Sequence, residues 1–351
     1  MERPVALVAD AVLVDEVLHA AAVAGCELER VVDVGELRGR WAGAPAVVLD
    51  EAAVAACAAG ELPRRPGVFV VSTGPPGPAT WRCALALGAE QVFELPDGVV
   101  GLGAALADAV EGSVGDGKVL AVVGARGGAG ASVLAVAVGQ AVLAAGGRAL
   151  LVDCDPLGGG LDLLLGAERQ DGLRWTTLQL KEGRVPAAAL HSALPGRERG
   201  RGRLSVLSCG RTGPDPAPEA VAAVVEAGRR AGGTVVCDVP RRLTGAACAA
   251  LDRADLAVLV VPADVKACMA AKGLVEQVAA RGVQLRAVVR GPAPGGLSPA
   301  EVADAVDLPL LTAMRSEPGL ATALDEGRVP GAGRGPLAKA AREVLAVLDA
   351  C

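Results

Sequence analysis

The sequence lacks several residue types that whole classes of function depend on. It has no tyrosine, and aromatic residues make up only 1% of it. Histidine occurs only at His19 and His191, which disfavours histidine-based catalysis and zinc sites. The nine cysteines are odd in number and contain no C-x-x-C pair, so they favour a reducing cytosol over a disulfide framework.

Long apolar runs and blocks of one charge are also missing. No run approaches the ~20 residues of a membrane span, and residues 1–4 show no signal-peptide pattern. The net charge is −6, which argues against nonspecific nucleic-acid binding. These absences predict a cytoplasmic protein with protein partners rather than nucleic acid.

The chain is long and apolar enough for about two domains, with 351 residues of which 52% are hydrophobic. Residues 1–111 alternate short apolar runs with alanine-rich helical stretches, 112–117 form a glycine-rich polar linker, and 118–351 begin a second alternating series. This pattern predicts an α/β fold with two doubly wound parallel sheets, the first of flavodoxin-like strand order. The predicted strands of the first series are Val5–Ala9, Leu28–Val32, Ala46–Leu49, Val68–Val71 and Gln91–Phe93.

A glycine-rich segment opens the second series. Lys118 to Val123 reads as a buried strand, and a helix is predicted from Ser132. Such a loop aims backbone N–H groups and the positive end of the helix dipole at one point, which favours phosphate. The candidate binding residues are Gly127, Gly128, Ala129, Gly130, Ala131 and Ser132.

This loop departs from a standard P-loop at one position. A P-loop ends in Gly-Lys-Ser/Thr, where the lysine reaches the β- and γ-phosphates and the hydroxyl holds Mg²⁺. Here Ala131 takes the place of the lysine, while Gly130 and Ser132 remain. A methyl group cannot neutralise phosphate, so we expect ATP and Mg²⁺ to bind weakly or not at all, and any ATPase activity to be weak.

Carboxylates follow two further strands of this series. Asp153 and Asp155 follow the strand 148–152, and Asp238 follows the strand 234–237. Residues i and i+2 at a strand end point the same way. One acid can orient a metal-bound water while the other positions an attacking water. We predict Ser132, Asp153 and Asp238 as the Mg²⁺ site.

The first series resembles a receiver (CheY-like) domain. Asp10 ends the first strand, Asp50 ends the third, and Thr73 follows the fourth, as in that family. The resemblance makes Asp50 the phosphoacceptor position. The second acid beside Asp10 and the family's lysine, here Leu95, are missing. We therefore expect a pseudo-receiver that serves as an interaction module, with a phosphorelay role or a plain strand-end residue at Asp50 as alternatives.

The second series resembles the MinD/ParA group of deviant P-loop ATPases. Arg126 in Arg126-Gly-Gly-Ala-Gly-Ala-Ser132 stands at the group's signature lysine. The resemblance implies that this residue reaches the partner's nucleotide in a nucleotide-dependent homodimer. It also implies that Asp155 orients the attacking water and that Asp238 is the Walker B acid. Arg126 and Asp155 are thus the candidate catalytic residues.

Within the group, the chain resembles the septum site-determining Ssd-like and CpaE-like branches. A pseudo-receiver ahead of a loop without its last lysine resembles the CpaE-like branch. The closer resemblance is to the Ssd-like branch, and it rests on Arg126 at the signature position and on the runs 151–166 and 289–295. The Ssd-like branch implies a role in septum site determination with divisome partners. The CpaE-like branch implies assembly of a Flp/Tad pilus or a secretion apparatus. Both imply a protein that is peripheral to the inner face of the plasma membrane, at septum or pole.

Two other segments leave alternatives open. The basic segment Arg197–Arg203 reads as a solvated loop or a flexible anion contact, and with Arg229 and Arg230 it could serve a ParA-like DNA partitioner. The amphipathic stretch Pro336–Ala350 could anchor to a membrane, but it has few cations, so packing against the sheet is the favoured interpretation.

Overall fold

The computed structural model describes residues 3–111, 117–178, 190–191, 193–210 and 215–351. These residues form two compact units, each built around its own sheet. Residues 112–116 of the predicted linker lie outside the described residues.

The N-terminal unit is a five-stranded parallel sheet with the order β2-β1-β3-β4-β5. This is the flavodoxin-like order that the sequence predicts. Its elements are β1 (Val5–Leu7), α1 (Ala11–Val23), β2 (Glu29–Arg30), α2 (Val34–Arg40), β3 (Val47–Asp50), α3 (Glu51–Ala59), β4 (Val68–Ser72), α4 (Pro78–Leu87), β5 (Gln91–Glu94) and α5 (Val99–Glu111).

The second unit is an eight-stranded sheet with the order β13-β12-β11-β6-β10-β7-β9-β8. All neighbouring strands are parallel except the edge pair β8 and β9. Its elements are β6 (Lys118–Gly124), α6 (Ala131–Ala144), β7 (Arg148–Asp153), α7 (Leu161–Leu165), β8 (Gly196–Arg199), β9 (Gly202–Leu207), α8 (Pro218–Arg230), β10 (Thr234–Val239), α9 (Gly245–Leu251), β11 (Leu256–Pro262), α10 (Val265–Ala279), β12 (Gln284–Gly291), α11 (Pro299–Ala305), β13 (Leu310–Arg315), α12 (Leu320–Asp325) and α13 (Pro336–Asp349).

The basic segment Arg197–Arg203 is a β-hairpin, so the prediction of a flexible loop is wrong. Arg199 pairs with Gly202 across a two-residue turn in which Gly200 has φ +59°. Glycine at the first position of such a turn matches the right-handed twist of the strands. Arg203 is also engaged, because its Nη1 lies 2.7 Å from Glu198 Oε1. The glycines that suggested flexibility are therefore part of the hairpin geometry.

Helix α6 lies in the main hydrophobic core of the second unit. Its residues 134–140 are all buried, and they pack with the sheet and with α13. This embedding fixes the helix N-terminus, and hence the glycine-rich loop, at the edge of the sheet where the parallel strands end. In open α/β sheets, this edge is where ligands bind.

The C-terminal helix α13 packs against the second unit, as predicted. Leu337, Ala341, Val344 and Leu348 are buried in the same core cluster as α6. Among the described residues, no helix is long and apolar enough to cross a membrane.

The two histidines differ in burial, which generates a prediction about acid stability. His191 is buried, with Nδ1 3.1 Å from Ser205 Oγ. Burial, together with the nearby Arg148 and Arg203, lowers the pKa of His191 from 6.5 to about 4. An unfolded histidine therefore takes up a proton at a higher pH than the folded one. We expect the free energy of unfolding to be unaffected by His191 above pH 6.5 and to fall on the order of 2–3 kcal/mol as the pH drops to 4.

Urea unfolding over a pH series measures this effect. His191→Gln should flatten the acid limb of the stability profile, and His19→Gln, at an exposed position of α1, should leave it as in the wild type. An unchanged acid limb in His191→Gln would contradict the assignment.

Candidate functional site

The glycine-rich loop has the conformation of a phosphate cradle. Gly128 and Gly130 have φ of +71° and +100°, a region that side-chain-bearing residues rarely adopt. Gly130 precedes α6, and no described side chain caps this helix. A β-carbon placed on Gly127 or Gly128 would have no atom within 4 Å, so the loop has an open face. The backbone N–H groups at the start of α6 are thus available to an anion.

A buried acid lies beneath the loop. Asp238 is 5% exposed and lies beside the side chain of Ser132, on the first turn of α6. Burial raises the pKa of Asp238 to about 7, the neighbouring Ser132 hydroxyl opposes the rise, and the negative charges of Asp153 and Asp155 add to it. The structure therefore brings together a hydroxyl and a carboxyl that the sequence predicts as magnesium groups.

Asp153 lies beside Asp238, since the two residues are register partners on β7 and β10. Both oxygens of Asp153 are occupied by internal donors. Oδ1 accepts from the N–H of Asp155 at 3.1 Å, and Oδ2 accepts from the Ser208 hydroxyl at 3.0 Å and from the N–H groups of Leu161 and Cys209 at 3.2 Å each. The carboxyl thus ties the segment after β7 to the end of β9.

Asp155 is less constrained than Asp153. It is half-buried, and Oδ1 accepts from the N–H of Leu157 at 3.1 Å in a tight turn. The side chain of Leu157 is 94% exposed. Asp155 is therefore the member of the acidic pair that is reachable from solvent, as a residue that orients an attacking water must be.

Arg126 is held within its own chain. Its Nη2 lies 2.9 Å from Asp264 Oδ2, and its side chain is 40% exposed. Asp264 also caps α10 by accepting from the N–H of Ala267 at 2.8 Å. The cap and the ion pair with Arg126 hold the pKa of Asp264 below its usual range. To reach the nucleotide of a partner subunit, as the resemblance to the MinD/ParA group predicts, Arg126 must first break its ion pair with Asp264.

A cleft of about 380 Å³ adjoins the loop on the side of β12 and β13. Gly128 and Gly130 line one wall, and Arg290, Met314 and Leu337 are among the residues that line the rest. Its lining is mostly apolar with a few charged groups, which is typical of a small-molecule site.

Several residues at this edge were not assigned a role from the sequence. Ser208 bridges Asp153 and Asp162, with its hydroxyl 3.2 Å from Asp162 Oδ1, and Arg174 Nε lies 3.0 Å from Asp162 Oδ2. Asp264 follows β11 and Arg290 is the second-last residue of β12, so both lie at the ends of strands, as the predicted acids do. Their position at the end of a predicted strand is the sequence feature from which they could have been assigned to this edge of the sheet.

In the N-terminal unit, Asp50 is 4% exposed and both of its oxygens are engaged. Oδ2 accepts from the N–H of Ala9 at 2.7 Å and of Asp10 at 3.4 Å, and Oδ1 accepts from the N–H of Ala53 at 2.7 Å. The carboxylate therefore caps α3 and holds the segment after β1. This geometry favours the strand-end interpretation of Asp50 over a phosphoacceptor.

The different surroundings of Asp153 and Asp155 predict different effects of mutation. Asp153→Ala leaves the N–H groups of Asp155, Leu161 and Cys209 without this acceptor, so it should lower the free energy of unfolding by on the order of 3 kcal/mol. Asp155→Ala should change it by less than about 1 kcal/mol. Chemical unfolding of both variants tests the distinction, and equal stability losses would refute it.

The engaged carboxylate of Asp50 generates a parallel prediction. Asp50→Ala should destabilise the N-terminal unit by on the order of 2–3 kcal/mol, because three N–H groups lose their acceptor. Asp10→Ala, which removes only the exposed cap of α1, should cost about 1 kcal/mol. Unfolding measurements on the pair give the comparison, and stable phosphate incorporation at Asp50 from acetyl phosphate would contradict the structural role.

Solved structures share the fold of the second unit. The chain aligns over 65% of its length with a ParA family ATPase from Chlorobium tepidum TLS (98% of that chain, 14% identity, TM-score 0.55). It aligns over the same share with MinD in the MinC:MinD cell division protein complex of Aquifex aeolicus (96%, 21% identity, TM-score 0.53). It also aligns over 65% of its length with the septum site-determining protein MinD complexed with Mg-ADP from Pyrococcus horikoshii OT3 (95% of that chain, 18% identity, TM-score 0.51). The second unit therefore has the MinD/ParA-like P-loop fold that the sequence predicts.

Sequence comparison adds the family. Residues 7–117 match the family model described as Rv3660c-like, CheY-like N-terminal domain, so the N-terminal unit is CheY-like, as predicted. The uncharacterized protein Rv3660c of Mycobacterium tuberculosis (strain ATCC 25618 / H37Rv) is 48% identical over 349 residues, which cover 97% of each chain. The chain therefore belongs to the family of Rv3660c, and in this chain a CheY-like unit precedes a unit with the MinD/ParA-like fold.

Proposed function

We propose that this chain is a spatial regulator of the MinD/ParA type that acts in septum site determination. In this proposal, a magnesium nucleotide bound at the loop 125–132 controls the surface offered to a protein partner. The observation that carries it is the pairing of Ser132 with the buried Asp238 beneath the open glycine-rich loop.

The residues at the loop fit a magnesium nucleotide. The N–H groups from Gly127 to Ser132 would hold the phosphates, and the cleft beside β12 and β13 would take the nucleoside. The Ser132 hydroxyl would bind Mg²⁺ directly, and Asp238 would hold it through water. Mg²⁺ supplies charge neutralisation of the phosphates when it is bound.

The two acids after β7 receive separate roles in this proposal. Asp155 would orient the attacking water, because its carboxyl is the accessible one. Asp153 was predicted as a magnesium ligand, but its oxygens already accept from internal donors. We therefore propose that Asp153 positions Asp155 and the segment after β7, next to the metal rather than on it.

Nucleotide hydrolysis is at most weak in this proposal. Ala131 supplies no charge at the position of the P-loop lysine. In a nucleotide-dependent homodimer, Arg126 would bind the phosphates of the partner's nucleotide only after its ion pair with Asp264 is broken. Regulation through binding, with a slow or absent chemical step, is consistent with both features.

The septum and the pilus interpretations differ in the partner. The MinD of Aquifex aeolicus is part of a cell division complex with MinC, and by analogy we propose a divisome partner and a peripheral position at the inner face of the plasma membrane. The CheY-like unit ahead of a loop without its lysine resembles the CpaE-like branch, and this supports pilus or secretion-apparatus assembly as the second candidate. We assign the CheY-like unit to partner binding in either case.

Localisation of a fluorescent fusion in cells of the source organism tests the proposal. The wild type should concentrate at the septum, and Ser132→Ala and Asp238→Asn should make it diffuse because both remove magnesium groups. Asp325→Asn, at an exposed position of α12, is the matched control and should localise as the wild type. A polar focus would favour the CpaE-like role, and a diffuse wild-type protein would contradict both.

A further inference from the structure

A second arginine lies against the glycine-rich loop from a neighbouring strand. Arg290 is near the end of β12 and is half-buried. Its Nη1 lies 3.5 Å, and its Cδ 4.0 Å, from the position that a β-carbon on Gly130 would occupy. Gly130 directly precedes Ala131, so this guanidinium lies next to the position where a P-loop carries its lysine.

The guanidinium of Arg290 is not committed to another group. Among the residues that the structure describes, it has no hydrogen bond and no ion pair within 4 Å. The other arginine at the loop, Arg126, is paired with Asp264 at 2.9 Å. Burial lowers the pKa of Arg290, Arg126 lowers it further, and Asp264 opposes this. Arg290 is thus a partly desolvated cation that an anion at the loop would stabilise.

Other cations at this edge are less well placed. Arg241 and Arg242 after β10, and Arg315 at the end of β13, are exposed. A β-carbon built on Gly127 or Gly128 would have no atom within 4 Å. A β-carbon built on Gly130 would have the side chain of Arg290 as its nearest neighbour.

We propose that Arg290 is a phosphate-binding residue that replaces the missing P-loop lysine, supplying its charge from β12 instead of from α6. This role rests on the proposed function, because it requires a nucleotide at the loop. A guanidinium is planar and presents several N–H donors, so it can hold two phosphate oxygens at once. The loop would then keep a cation at the phosphates, although not on the residue where a P-loop motif places it.

Equilibrium binding of adenosine, ADP and ATP in the presence of Mg²⁺ tests this role. Arg290→Ala should weaken ADP and ATP binding ~10–100-fold, as expected for the loss of a charge-assisted phosphate contact. It should weaken adenosine binding by a much smaller factor, because Arg290 also lines the cleft proposed for the nucleoside. Arg286→Ala is the matched control, since Arg286 is a half-buried arginine on the same strand, four residues away. Thermal unfolding of each variant verifies that it is folded.

A second variant tests the replacement itself. Ala131→Lys in the Arg290→Ala background should restore most of the lost ADP and ATP affinity, because it returns a cation to the usual position. Two results would overturn the role of Arg290 while leaving the proposed function intact. One is an Arg290→Ala variant that binds ADP and ATP as tightly as the wild type, and the other is a variant whose affinity for adenosine falls by the same factor as its affinity for ADP and ATP. A wild-type chain that binds neither ADP nor ATP would overturn both.

Discussion

The burial of helix α6 is the constraint on which the site depends. Residues 134–140 are all enclosed between the sheet and α13, so the helix cannot shift without opening the core. Its N-terminus is therefore fixed where β6 ends, and the positive φ of Gly128 and Gly130 sets the path of the loop. Neither feature involves a lysine. The loop can thus keep its shape with Ala131 at the position of the P-loop lysine. The backbone geometry for phosphate binding is therefore independent of the positive charge that the lysine would supply.

The order of the strands distributes charge unevenly around this loop. On one side of β6, Asp238 lies near the end of β10 and Asp153 at the end of β7, with Asp155 just beyond. On the other side, β11 and β12 lead to Asp264, which is paired with Arg126, and to Arg290. A magnesium ion would be favoured on the acidic side and phosphate oxygens near the arginines. The negative charges that raise the pKa of Asp238 are the same ones that would attract the metal.

Sequence patterns were sufficient for the fold, and they indicated where along the chain a candidate site lies, but they did not show contacts between distant residues. Valine-rich strands, the glycine-rich loop and acids at strand ends predicted both sheets and placed Ser132 next to Asp238. The basic hairpin was missed because its glycines fit a turn as well as a flexible loop. The roles of Ser208, Asp264 and Arg290 depend on which strands become neighbours, and strand order in the larger sheet was not predicted. The occupied oxygens of Asp153 and Asp50 follow from packing that no local pattern shows.

Amide hydrogen exchange with and without Mg-ADP tests whether the glycine-rich loop binds a nucleotide, because it reports on the loop without depending on turnover or on a partner. We expect Mg-ADP to slow exchange in residues 125–133 and at the start of α6, with a smaller effect at the ends of β10 and β12. Unchanged exchange in 125–133 at saturating Mg-ADP, or protection confined to the N-terminal unit, would contradict it.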